Sequence, residues 1–180
     1  MNQVVTHEYQ TMDGLYSQAI YSLCYHYRYF LSRTWHDTGK RAAFLMLNPS
    51  TATEYQNDPT VERCQKRAVK KGYGAMTVIN AFALRATDPG ELRKAYDPIG
   101  HPLNNTYIKF TLSEVAKGNA DIICAWGNNC TYLDRNSEII SLIKRFGIPA
   151  FCLGMSKKQE PKHPLYIAYE KDFEEITLQS

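Results

Sequence analysis

The chain has 180 residues, 44% hydrophobic and 22% charged, with thirteen tyrosines and a formal charge of +3. That length suits one domain with a substantial core, and the near-average composition excludes a disordered or fibrous chain. The small positive charge permits contact with nucleic acid or nucleotides without demanding it. The first residues show no basic region followed by an apolar core, and no apolar run is long enough to span a bilayer. The expectation is a cytoplasmic protein with no membrane partner. Cys24, Cys64, Cys124, Cys130 and Cys152 lack the close spacing of zinc or iron–sulfur ligands and read as buried, reduced thiols.

In chain order, residues 1–18 read as an N-terminal extension and residues 19–176 as one α/β domain. From Ala19 to Trp35 a tyrosine-rich alternating pattern, broken near Tyr25-His26-Tyr27, predicts an antiparallel hairpin at the edge of a sheet. Ala42 to Leu47 reads as the first of four short buried strands, followed by Ala75 to Ala81, Asp121 to Trp126 and Pro149 to Leu153. Between the first two, Asp58 as N-cap, Pro59 at the first helical position and Gly72 past the last turn bound a helix. Its exposed face is expected to carry Lys66, Arg67, Lys70 and Lys71. Asp88-Pro89-Gly90-Glu91 repeats the start signal with Glu91 placed for a capping box. Further helices are expected from about Asn104 to Lys117 and from Leu133 to Phe146.

Strands alternating with helices predict a mainly four-stranded parallel sheet between helical layers, with the hairpin added at one edge. Ligands bind such sheets at the carboxyl ends of the strands. Those ends are polar: Asn48-Pro49-Ser50-Thr51, Asn80 to Arg85, Trp126-Gly127-Asn128, and Gly154 to Lys158.

Several of these residues carry two readings. The Asn48 amide can hold a nucleobase edge or position a water, or close a local turn before Pro49. Ser50 and Thr51 can bind phosphate or simply end the strand. Asp58 can act as a general base or only cap its helix. Asn80 is placed to read a base edge, and Arg85 suits phosphate or an ion pair with Asp88. His163, between Pro161 and Pro164, can donate to a leaving oxyanion or a phosphate, or sit in a plain surface turn. The chain lacks a phosphate-binding glycine loop, a nucleophile elbow, an HExxH pair and a GxGxxG fingerprint. The expected chemistry therefore uses neither metal nor cofactor.

Three motifs in order, Met46 to Ala52 with Asp58-Pro59-Thr60, Val78 to Pro89, and His163 to Tyr166, resemble the bacterial and phage family known as domain of unknown function 1643. A more distant resemblance is to the mismatch-specific branch of the uracil-DNA glycosylase superfamily. It rests on Met46-Leu47-Asn48-Pro49-Ser50, on Asn80 and on His163-Pro164; Met46 and Ser50 stand where that branch has glycines. This second resemblance implies a three-layer α/β/α glycosylase-like fold and a nucleobase-recognising protein that hydrolyses N-glycosidic bonds in DNA or nucleotides. Asn48, with Asp58, would place water, His163 would stabilise the departing base, and Asn80 would read it. Pro49, Ser50, Thr51, Phe82, Arg85, Trp126 and Asn128 would complete the pocket. Phe82 or Tyr55 would stack on the base, and Lys157 and Lys158 would meet phosphate. Two alternatives stand beside this: a non-catalytic nucleotide or modified-nucleic-acid binding module, and a phosphoester or metabolite hydrolase acting through Ser50 or Asp58.

Overall fold

The computed structural model describes residues 4–178. Eight strands form one mixed sheet in the order β1-β2-β3-β5-β4-β6-β7-β8. They are β1 (Val4–Gln10), β2 (Tyr16–Ser22), β3 (Arg28–Thr34), β4 (Arg41–Met46), β5 (Ala75–Asn80), β6 (Ala120–Cys124), β7 (Ala150–Cys152) and β8 (Glu174–Ile176). The four expected parallel strands lie together as β5-β4-β6-β7. The flanking pairings are antiparallel: β1 with β2, β2 with β3, β3 with β5, and β7 with β8. Most pairings are thus antiparallel, which corrects the expectation of a four-stranded parallel sheet with an edge hairpin.

The hairpin is interior, because residues 4–10, expected as an extension, pair along the whole of β2. Val4-Val5-Thr6 has strand-forming chemistry, but the rest of β1 is polar and exposed, so no apolar alternation marks it. The short strand β8, Glu174-Glu175-Ile176, likewise lacks an apolar run.

Three helices cover the sheet: α1 (Pro59–Lys70), α2 (Leu103–Ala116) and α3 (Arg135–Phe146). On one face Val61, Cys64 and Ala68 of α1 pack against Ala42, Phe44, Met46, Met76 and Val78. On the other, Ile108, Leu112 and Val115 of α2 and Ile139 and Ile143 of α3 pack against Ala43, Leu45, Ile79 and Ile122. The alternation along β4 and β5 therefore feeds two cores. The start of α1 is as expected: Asp58 accepts from the Thr60 and Val61 amides, and Pro59 opens the helix. Asp88 begins a 3₁₀ turn, Pro89–Arg93, by accepting from the Gly90 amide.

Arg67 is not on an exposed face. It is 3% exposed, donates to the Ile167 and Ala168 carbonyls, and lies over the Tyr169 ring. Arg63 also donates to the Ile167 carbonyl and stacks 4.3 Å from the same ring. These arginines fasten the segment after His163 to α1, where backbone carbonyls rather than carboxylates receive the guanidinium donors. Of the cysteines, Cys24 is exposed and the other four are buried with their thiol pKa values pushed up by burial. No helix among the described residues is long and apolar enough to cross a membrane.

Candidate functional site

The sheet order sends the chain from β4 to β5 on one side and to β6 on the other, so strand order reverses beside β4. At such a switch point the outgoing loops diverge and leave a crevice at the carboxyl ends. A cavity of about 820 Å³ lies there. Its walls come from the loop after β4, the start of α1, residues 126–129 after β6, and the segment 156–167 after β7. That volume falls in the usual range for small-molecule sites.

Three side chains shape the loop after β4. Arg28 donates to the Ala52 carbonyl, and Arg33 donates to Thr53 O and to Asn57 Oδ1. Asp58 accepts from Thr60 N (3.0 Å) and Val61 N (2.9 Å) on Oδ1 and from Ala52 N (3.3 Å) on Oδ2. Asp58 is therefore the N-cap and the loop anchor; both oxygens already accept from backbone donors. It lines the cavity while three of its lone pairs hold backbone amides, so its capping role is present in the structure.

Asn48 opens onto the same cavity. Its Nδ2 donates to the carbonyls of Pro49 (3.0 Å) and Ala86 (2.8 Å), which takes up both amide protons. Only Oδ1 remains for a ligand, so this amide is an acceptor towards the cavity. The turn reading of Asn48 is realised on its nitrogen, while its oxygen accepts no hydrogen bond from another described residue.

His163 lines the same cavity. The chain leaves β7 through Gly154, whose φ of +111° favours glycine, and folds back on itself with Met155 bridging Pro161. The Gly127 amide donates to the Pro161 carbonyl, and Trp126 Nε1 donates to Glu160 Oε2 at 2.6 Å, tying this return to the end of β6. His163 then caps a 3₁₀ turn, accepting from the Leu165 amide on Nδ1 at 3.4 Å. An accepting Nδ1 puts the proton of the neutral imidazole on Nε2. Burial lowers the His163 pKa, opposed by the nearby Asp58 charge, which favours the neutral ring at pH 7.

Of the other expected site residues, Ser50, Thr51, Trp126 and Asn128 line the cavity, and Pro49 packs behind them as a buried residue. Asn128 Oδ1 accepts from the Ser156 hydroxyl at 2.7 Å, which leaves its Nδ2 as a donor. Arg85 lies outside, in an adjoining cleft that shares Ser50, Ala86 and Thr87 with the cavity. It donates to the Tyr25 carbonyl and lies over the Tyr21 ring, and it forms no ion pair with Asp88.

Asn80 and Phe82 do not line the cavity. Asn80 is 0% exposed, and among the described residues neither polar atom of its side chain has a partner. Phe82 is buried in the α2/α3 core against Tyr132. Tyr55 stands exposed against Tyr9, and Lys157 and Lys158 point to solvent. Tyr166 and Lys162 line the cavity instead, as Trp126 does.

Residues missed from the sequence are Arg28, Ser156, Lys162 and Tyr166. The last two stand beside His163 in the Lys162-His163-Pro164-Leu165-Tyr166 motif, so proximity to a rigid histidine turn was the available signal. Arg28 had none.

No curated protein matches the chain. Among solved structures it is similar to hetero-hexameric glutamate dehydrogenase from Thermus thermophilus in its leucine-bound form, with 12% identity and a TM-score of 0.34. That likeness covers 80% of this chain but spans only 30% of the dehydrogenase chain, and it carries no argument about fold or activity. Residues 28–165 match the family described as protein of unknown function DUF1643, well over half the sequence. The chain belongs to the DUF1643 family.

Proposed function

We propose that the cavity recognises a nucleobase and that the protein hydrolyses an N-glycosidic bond in DNA or a nucleotide. The observation that carries this reading is that Asn48 and His163 line one cavity. Each has one polar atom held by backbone and the other, an acceptor on Asn48 and a donor on His163, left for a ligand. Asn48 Oδ1 would accept from a water and aim it at the sugar carbon. As the carbon–nitrogen bond breaks, its electron pair leaves with the base, and a neutral His163 Nε2–H would stabilise the anion. The water oxygen bonds to the sugar, its proton passes to solvent, and the base is reprotonated from solvent. Tyr166 would stack on the base in place of Phe82.

The associated fold reading is a three-layer, uracil-DNA-glycosylase-like arrangement. Placement of α1 on one sheet face and of α2 and α3 on the other supports it. Five unpaired thiols support a reducing, cytoplasmic setting.

One observation favours a second reading, a non-catalytic module that binds a nucleotide or modified nucleic acid. Among the described residues the one carboxylate lining the cavity, Asp58, already spends three of its lone pairs on backbone amides, so a fold-holding role accounts for it without chemistry. Incubation with a panel of normal and modified DNAs and free nucleotides, scored by mass spectrometry, separates the two. Released base from the wild type, lost in Asn48→Ala and His163→Ala while binding survives, supports hydrolysis. No released base from any substrate, with binding lost in both variants, supports the module. A steep fall of affinity with salt would identify a nucleic-acid strand as the ligand rather than a free nucleotide.

A further inference from the structure

Arg28 is 1% exposed, yet it lines the cavity. It reaches there because β3 carries a bulge. Ile20 pairs with Phe30 and Tyr21 with Arg28, so Tyr29 has no residue opposite it. The extra residue reverses the alternation and turns Arg28 onto the face that holds Ala19, Tyr21 and Leu31, beneath the loop after β4. Among the described residues its side chain makes one hydrogen bond, to the Ala52 carbonyl, and its Nε is buried without a partner. It forms no ion pair with a described carboxylate; Asp58 and the Tyr21 hydroxyl act on it only at longer range, and Arg33 and Arg85 oppose it. Burial lowers its pKa to about 10, so it remains a cation at neutral pH.

A buried cation without a counter-charge is strongly unfavourable, and a guanidinium offers five donors. The other buried arginines have more partners: Arg33 reaches Asn57 and three backbone carbonyls, Arg135 reaches Glu138, Asn105 and Ala81, and Arg67 reaches three backbone carbonyls, although its Nε is unpartnered too. Arg28 alone among them borders an open cavity with donors to spare. A planar fork of donors suits a tetrahedral oxyanion, and Lys162 adds a second positive charge to the same cavity.

We propose that Arg28 binds a phosphate group of the ligand, so that the cavity takes a phosphorylated nucleoside unit, as a mononucleotide or within a strand, rather than a free base or nucleoside. The nucleoside part of this statement rests on the nucleobase reading above; the phosphate site does not.

The test uses the full chain with its arginine side chains followed by NMR, and inorganic phosphate, nucleosides, nucleoside monophosphates and short single-stranded oligonucleotides as probes. Phosphate should shift the Arg28 Nε–H resonance. A monophosphate or an oligonucleotide should bind roughly tenfold to a hundredfold more tightly than the matching nucleoside, as for a hydrogen-bonded charge. Mononucleotide gain and oligonucleotide gain each support the site and tell its two sources apart. Arg28→Met should erase that gain, Arg28→Lys should keep part of it, and Lys162→Ala should reduce it less.

An unmoved Arg28 resonance, a shift confined to surface lysines, or nucleosides binding as tightly as monophosphates overturns the proposal. If Arg28→Met does not fold, the wild-type resonance and the affinity ratio decide the matter alone. Phosphate bound at Arg28 with no selectivity among bases keeps this site and removes the nucleobase reading. Base-selective binding without a phosphate gain does the reverse.

Discussion

Asn48 and Asn80 end neighbouring parallel strands at the same edge of the sheet, and Asn80 pairs directly with Met46 in the ladder. Their fates differ. Asn48 lies beyond the strand, at a proline turn where the Pro49 and Ala86 carbonyls hold its amide nitrogen and leave its oxygen to the cavity. Asn80 is still inside the ladder, where its side chain is sealed and, among the described residues, neither polar atom is paired. A polar residue at the carboxyl end of a buried strand is therefore not enough to make a site. The turn that lifts the residue out of the ladder decides what it can reach.

The largest effect expected from this contrast is on turnover. Asn48→Ala should cut base release by on the order of a hundredfold or more, the cost of losing a positioned reactant, while ligand affinity changes little. His163→Phe should do the same because it keeps a ring of similar size but removes the Nε2–H donor. Equal losses of binding and release would instead make both residues simple ligand contacts.

Asp58 comes next, and its effect should fall on stability. Removing an N-cap that also holds the Ala52 amide should destabilise Asp58→Ala by about 2 kcal/mol in urea unfolding. A loss of base release far beyond what that unfolding explains would restore a catalytic role for the carboxylate.

Asn80→Leu should go the other way. Replacing an unpartnered buried amide by an apolar side chain of similar size should be neutral or stabilise the fold by up to about 1 kcal/mol, with base release retained. A loss of activity in that variant would show that Asn80 reaches the ligand after a rearrangement.

The smallest effect is a pH signature of His163. Burial places its folded pKa below the ordinary 6.5, so the unfolded chain binds the proton more readily. Its contribution to stability is fully present above pH 6.5 and is lost as pH falls from there through the folded pKa. His163→Gln should flatten that part of the stability curve; an unchanged curve would mean that the ring is not buried as described.

The parts of this architecture that were legible in the sequence have local causes. The Asp58-Pro59 start of α1, the strand ending in Leu47-Asn48 and the rigid turn around His163 follow from capping chemistry, apolar runs and proline geometry within a few residues. What escaped detection depends on partners distant in sequence. Arg67 looks like one more basic residue of a solvated helix face until the carbonyls about a hundred positions later receive it. Arg28 reads as the polar start of an alternating strand, and only the bulge at Tyr29 reverses its face. The expectation for Asn80 failed because a run of apolar residues shows that a strand is buried but not where its ladder stops. Phe82 failed with it, two residues further on, since its ring belongs to the α2/α3 core.

The proposed place of base release is the cavity beside β4, which Asn48 lines and Asn80 does not. The most direct test compares wild type, Asn48→Ala and Asn80→Leu on the same panel of DNAs and nucleotides, with liberated base quantified by mass spectrometry. The account predicts release by the wild type and Asn80→Leu, and its collapse in Asn48→Ala. Release that survives in Asn48→Ala, or that is lost in Asn80→Leu while the protein stays folded, would contradict it.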